Sequence, residues 1–346
     1  MTHQGLFRLG AHFVLAGITV GIVTLAANIL GIGAVNAGNA FTIRVSEPTT
    51  TSAPTMSTTT SATPTTSATP LTTAPSYPVE QETISLIDSS RDTPARGDIP
   101  AHAARVLMTV IRRPIGVPGP LPLIVFAHGW NSNPTVYEPL LDEWAACGYL
   151  VAAPTFPDSA STLPGTPVSN YPEQARDMSF VITSLLAGSA GPVDTTRIAV
   201  AGHSDGGTDV ALLALNPSYA DPRVRAYLSL SGEIPAGVPG PWSAPTAGAL
   251  LVAVGTGDEY GLAPRSTQVF ETAAVASKVL LRLNGGDHLG MYINSSPQAM
   301  AVRAETVRFL DAALQPEGAA TAQLTSSLDP TGDPSISVTA SPLGDP

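Results

Sequence analysis

One cysteine, Cys147, is all that 346 residues contain. That excludes an internal disulfide framework and a thiolate cluster for structural zinc. Cys147 stands in "WAACGYL", between a helical pattern and an apolar run, and is expected to be a small buried residue. Basic side chains are also scarce. Sixteen Lys and Arg against 27 Asp and Glu leave a net charge of −11, which excludes the basic footprint that nucleic acid demands. The six histidines include no H-x-x-x-H pair to grip zinc on one helix face. No metal site is expected.

A third absence is local. Between Gly10 and Thr42 there is no charged side chain, and 13–35 is almost wholly apolar, with Arg8 before it. Residues 1–37 therefore read as an export signal or an N-terminal membrane anchor. Small residues at Val35-Asn36-Ala37 or Gly38-Asn39-Ala40 suit cleavage, while the length of the run suits a span. Residues 38–78 follow as a Ser/Thr/Pro-rich stalk, whose composition cannot bury enough apolar surface to offset chain entropy. Such stalks are often O-glycosylated. The tail, 317–346, is expected to be disordered for the same reason. One globular domain remains, 79–316, outside the cytoplasm on either export reading.

Within it, "ETISLID" and "ARVLMTVI" come first as an antiparallel pair. Short apolar runs then alternate with amphipathic helical patterns: "LPLIVFAH", "YLVAAP", "RIAVAG", "VRAYLSL", "ALLVAVG" and "KVLLRLNGG". Continuous apolar runs of this kind mark parallel strands covered on both faces. Eight strands in a three-layer α/β sandwich are expected, with chemistry at the strand ends.

There the stretch "AVAGHSDGGTD" (199–209) stands out. The pattern G-x-S-x-G arises by chance in glycine-rich chains, but here a strand precedes it and a helix follows. A nucleophile elbow needs that context, and it needs Gly202 and Gly206 to remove side chains that would collide across the turn. Gly207 extends the close approach of helix to strand. Ser204 is thus the candidate nucleophile. It requires a base, and His288 in "LNGGDHLGMY" is the one histidine that follows it. Asp258, at the end of the penultimate core strand, is the expected orienting acid; its neighbour Glu259 is the alternative, and Asp287 is too close in sequence to fold back onto the ring. An oxyanion hole is expected from the backbone N–H groups of Asp205 and Trp130. His128 would support the Trp130 loop, and the Trp130 indole could form an apolar wall.

The stretches "LIDSSRDTPARGDIPAHAARVLMTVIRRP", "GPLPLIVFAHGW", "EWAACGYLVAAPTFP", "RIAVAGHSDGG", "VGTGD" and "GGDHLG" run in order along 82–310. In these the chain resembles the α/β-hydrolase superfamily. The similarity points to the bacterial branch of platelet-activating-factor-acetylhydrolase-like, chlorophyllase-like and cutinase-type polyester hydrolases. The resemblance implies a Ser204–Asp258–His288 triad, Trp130 and Asp205 as oxyanion donors, and hydrolysis of carboxylic esters through an acyl-enzyme without metal or cofactor. Two features depart from it. Asp205 stands where Met or Leu is frequent, and paired cysteines are missing.

The stretch "GEIPAGVPGPWSAPTAG" is too short to hold a lid domain, so an open site is expected, lined by Trp130, Leu289, Met291, Tyr292 and Trp242. Short or medium acyl, lipid or polyester-like esters would suit it as substrates, and the protein is expected to be exported and monomeric. Two alternatives stand beside this reading: an envelope acyltransferase on the same triad, and a non-catalytic surface binding module.

Overall fold

Strands that are apolar on both faces need cover on both faces, and this requirement organises the whole domain. The computed structural model describes residues 76–242, 246–314 and 336–342. The apolar run 13–35 and nearly all of the stalk lie outside the described residues. No helix among the described residues is long and apolar enough to cross a membrane.

The sheet begins with β1 (Val79–Asp88) and β2 (Arg105–Pro114), which pair antiparallel. Six strands then run parallel to one another: β3 (Leu121–Ala127), β4 (Leu150–Pro154), β5 (Val193–His203), β6 (Ala226–Leu230), β7 (Thr246–Gly255) and β8 (Val275–Leu283). The spatial order is β1-β2-β4-β3-β5-β6-β7-β8-β9. Among the described residues six α-helices accompany the strands: α1 (Glu138–Ala146), α2 (Tyr171–Leu186), α3 (Asp205–Leu215), α4 (Ala263–Thr272), α5 (Gly290–Ile293) and α6 (Pro297–Ala313).

Among the described residues there are nine strands where eight were expected. The extra one, β9 (Ile336–Pro342), falls in the tail expected to be disordered and pairs antiparallel with β8, Val338 opposite Leu281. Its sequence "ISVTASP" alternates Ile336 and Val338 with Ser337 and Thr339, which is the period of a half-buried edge strand. Ile336 is buried in the core and Val338 packs against it.

Strand β3 shows how the layers are made. Leu123 and Val125 point into a core shared with Val181 of α2, Leu212 of α3 and Val269 of α4. Ile124 and Phe126 point the other way, into a core shared with Leu140 and Trp144 of α1 and Phe309 of α6. All four β3 side chains are fully buried. Each contributes about 1.5–3 kcal/mol relative to exposure. Between β6 and β7, residues 231–242 form turns and bends with no inserted helical lid. Cys147 differs from expectation in being half-buried, and its thiol is pushed up to about 11 by that burial.

Candidate active site

The elbow is built from close contacts that tolerate no side chain. A Cβ at Gly202 would stand 2.2 Å from the Gly206 carbonyl oxygen, and one at Gly206 would stand 2.1 Å from that of Ala127. At Gly207 the distance to the Leu230 oxygen would be 2.7 Å. Between β5 and α3, Ser204 takes φ 57° and ψ −119°, a costly conformation for a residue with a Cβ. Its N–H donates to Leu230 O at 2.9 Å and its carbonyl accepts from Thr208 N–H at 3.0 Å. The strained turn is over-determined by its surroundings.

Three loops meet at this turn. Ser204 Oγ lies 2.9 Å from His288 Nε2, and His288 Nδ1 lies 2.8 Å from Asp258 Oδ2. Asp258 and His288 are both buried. The other Asp258 oxygen accepts the Tyr260 N–H at 3.0 Å. Glu259 has a different task, accepting the backbone N–H of His288 at 3.0 Å. Asp287 accepts from Met291 N–H at 3.3 Å. Of the three nearby carboxylates, Asp258 alone faces the imidazole.

A second histidine supports the first. His203 is buried, with Nε2 donating to the His288 carbonyl at 2.8 Å and Nδ1 accepting from Tyr137 OH at 2.9 Å. Tyr137 in turn accepts the Gly129 N–H at 3.2 Å. The chain of bonds ties the loop after β3 to the backbone of His288. Burial depresses His203 to about 3, with the neighbouring His288 adding to the shift, so the ring stays neutral. Neither His203 nor Tyr137 was expected at the site. Both are partners by tertiary contact, and only the adjacency of His203 to Ser204 could have drawn notice.

The loop after β3 approaches the nucleophile closely: a Cβ at Gly129 would stand 3.1 Å from Ser204 Cβ. His128 is buried and holds the loop's base, donating from Nδ1 to Gly129 O at 2.8 Å and accepting the Phe156 N–H on Nε2 at 3.1 Å. Burial lowers it to about 4. Neither the Asp205 N–H nor the Trp130 N–H is spent on a backbone carbonyl among the described residues. The Asp205 side chain turns to the start of α2, where Ser169 Oγ of the preceding loop and Tyr171 OH of the first helical residue both donate to it. Burial raises its carboxyl above the usual range against the pull of those two bonds.

The expected wall is only partly present. Trp130 is 51% exposed, its indole N–H donating to Pro167 O at 3.2 Å, and Leu289 is half-buried. Met291 and Tyr292 do not line an open surface. Both are buried, and the Tyr292 hydroxyl is spent between Ser231 Oγ at 3.0 Å and Ala253 O at 3.1 Å. Trp242 packs against the core on the α2–α4 face. The segment before it is fixed at the far end of α3, where Asn216 donates to Pro239 O at 3.2 Å. That point is about 18 Å along the helix from Ser204. Two exposed apolar residues take their place: Val168, beside the Trp130 anchor, and Tyr260, whose ring stands edge-on to His288 with centroids 4.7 Å apart. Among the described residues no group of three or more His, Cys, Asp or Glu is arranged to hold a metal ion.

Residues 92–232 match the family model described as Chlorophyllase. That stretch is similar to the chlorophyllases, and the fold is that of an α/β-hydrolase. The match takes in the Trp130 loop, Ser204 and Asp205, while Asp258 and His288 of this hydrolase lie beyond it. No curated protein matches the chain.

Proposed function

We propose that this α/β-hydrolase is a serine ester hydrolase that works through an acyl-enzyme. The observation that carries this reading is the unbroken Ser204–His288–Asp258 hydrogen-bonded line, at 2.9 and 2.8 Å, on a strained elbow. With Asp258 ionised, Nδ1 of His288 carries the proton and Nε2 accepts from Ser204. The hydroxyl oxygen then attacks the ester carbonyl carbon as its proton passes to Nε2. The developing oxyanion accepts from the N–H groups of Asp205 and Trp130, an arrangement in which one donor is typically worth about 3–4 kcal/mol. Collapse expels the alcohol, which takes the proton from Nε2. Water, deprotonated by the same nitrogen, then releases the acid. Asp258 stabilises the imidazolium throughout and takes no proton.

Trp130, Val168 and Tyr260 give the site an open apolar rim, which supports esters with apolar acyl or alcohol parts, whether short, lipid or polymeric. The charge-free run 13–35 supports export, with the protein either secreted or anchored at the cell envelope, acting there as a monomer. The test is turnover of p-nitrophenyl esters from acetate to palmitate by the full-length chain in mild detergent, beside Ser204→Ala. Turnover that disappears in the variant is expected. Turnover only when an alcohol acceptor is added would favour acyl transfer instead, and equal rates in both proteins would remove Ser204 from the chemistry.

A further inference from the structure

Asp205 sits one residue after the nucleophile, where a carboxylate opposes the charge that develops on a bound carbonyl oxygen. Its side chain is not idle. One oxygen accepts from Tyr171 OH at 3.1 Å and the other from Ser169 Oγ, partners more than 30 residues away in sequence. Among the described residues it is the only side chain of the elbow, 202–207, that bonds to the segment leading into α2.

That segment, 157–171, is tied to the site through Trp130 and Asp205. Residues 157–166 are gripped by Arg96, whose buried guanidinium donates to Pro157 O at 3.1 Å, Ala160 O at 2.8 Å and Thr166 O at 3.0 Å. Residues 167–171 present exposed Val168 and receive the Trp130 indole on Pro167 O. The Trp130 loop therefore leans on this segment, and the segment leans on Asp205. We propose that Asp205 is a positioning residue: its carboxylate pins 167–171 to the helix that carries Ser204 and so holds the apolar wall in place. The function of the wall rests on the esterase reading above; the pin itself does not. The departure from the Met or Leu frequent at this position thereby acquires a reason. A hydrophobic residue there could not draw two hydroxyl donors out of that segment.

The experiment compares three variants of the full-length chain with wild type: Asp205→Leu, Asp205→Asn, and the loop-side double variant Ser169→Ala/Tyr171→Phe. Hydrogen–deuterium exchange is read over peptides within 157–171, and kcat and KM are read on p-nitrophenyl acetate and octanoate. In Asp205→Leu and in the double variant, the 167–171 amides should exchange about tenfold faster, because local opening costs less. In the double variant KM for octanoate should rise about tenfold while kcat changes less than about threefold, the pattern of lost binding rather than lost chemistry. Asp205→Asn, which keeps an acceptor for Ser169 and can donate to Tyr171, should recover most of what Asp205→Leu loses. Unchanged exchange in both the leucine and the double variant overturns the proposal. So does an equal fall of kcat in the two Asp205 variants with exchange and KM unmoved, since the charge would then act on the reacting atoms. Should Asp205→Leu fail to fold, the double variant removes the same two bonds from the other side. A wild type inert on every ester but showing the exchange effect would sink the esterase reading and leave the pin standing.

Discussion

Ser204 can hold φ 57° because its turn is held from several sides: the Gly206 and Ala127 carbonyl oxygens close on Gly202 and Gly206, and the Leu230 oxygen fixes its N–H. The acid that serves it is equally determined by position. Asp258 meets Nδ1 of His288, whereas Glu259 meets the backbone N–H of the same residue. Asp258→Asn should therefore lower kcat by about 10⁴, since an amide there favours the wrong tautomer. Glu259→Gln, which keeps an acceptor for the N–H, should cost less than about tenfold. Steady-state kinetics on one ester decides it, and comparable losses in the two variants would mean that the acid is misassigned. The meeting of Ser204, Asp258 and His288 was legible in the sequence because each stands in the turn that follows a strand, in an order the architecture requires. Met291 and Tyr292 were misread because "HLGMY" does not reveal which face of a four-residue helix meets the core. His203 and Tyr137 were invisible for a related reason: their role is a hydrogen bond across 66 residues.

At the scale of elements, the middle of the sheet was the easiest part to read. Strands β3 to β8 are apolar on both faces and bounded by Gly or Pro, so their runs stand out against the helical patterns between them. The strand β9 did not, since seven half-polar residues inside a Ser/Thr/Pro-rich tail carry too weak a period. Its consequence is physical all the same. Without β9, the N–H and C=O groups along one side of β8 lose their partners and Ile336 leaves the core. Removing 316–346 should cost about 2–3 kcal/mol, or roughly 5–10 °C in a domain of this size. It should also promote aggregation through the bared edge. Thermal melts with light scattering test this; an unchanged Tm would mean that β9 adds nothing to the fold.

The molecule as a whole carries opposing titrations in its interior. His128 and His203 are buried neutral, at about 4 and about 3. Unfolding lets them bind protons near 6.5, so their share of stability is present above that pH and is lost as pH falls through the folded values. Asp209, on α3, has the opposite sign. It is fully buried, neither carboxyl oxygen has a hydrogen-bond partner among the described residues, and burial together with Asp205 and Asp177 raises it well above the usual carboxylate range. Its share is present below an unfolded value near 4 and is lost as pH rises toward the folded one. A pH scan of the wild type alone blends the two. Comparison with Asp209→Asn separates them, because the histidine contributions are common to both proteins and cancel in the difference. Asn cannot ionise, so the Tm of the variant relative to wild type should climb steadily from pH 4.5 toward neutral. Each pH unit crossed below the folded value is worth up to about 1.4 kcal/mol, about 3–6 °C here. A difference that stays flat across that range would mean that Asp209 ionises in the fold at its ordinary pH. It would then need a partner for its charge, and the nearest candidates, Asp205 and Asp177, are of the wrong sign to provide one.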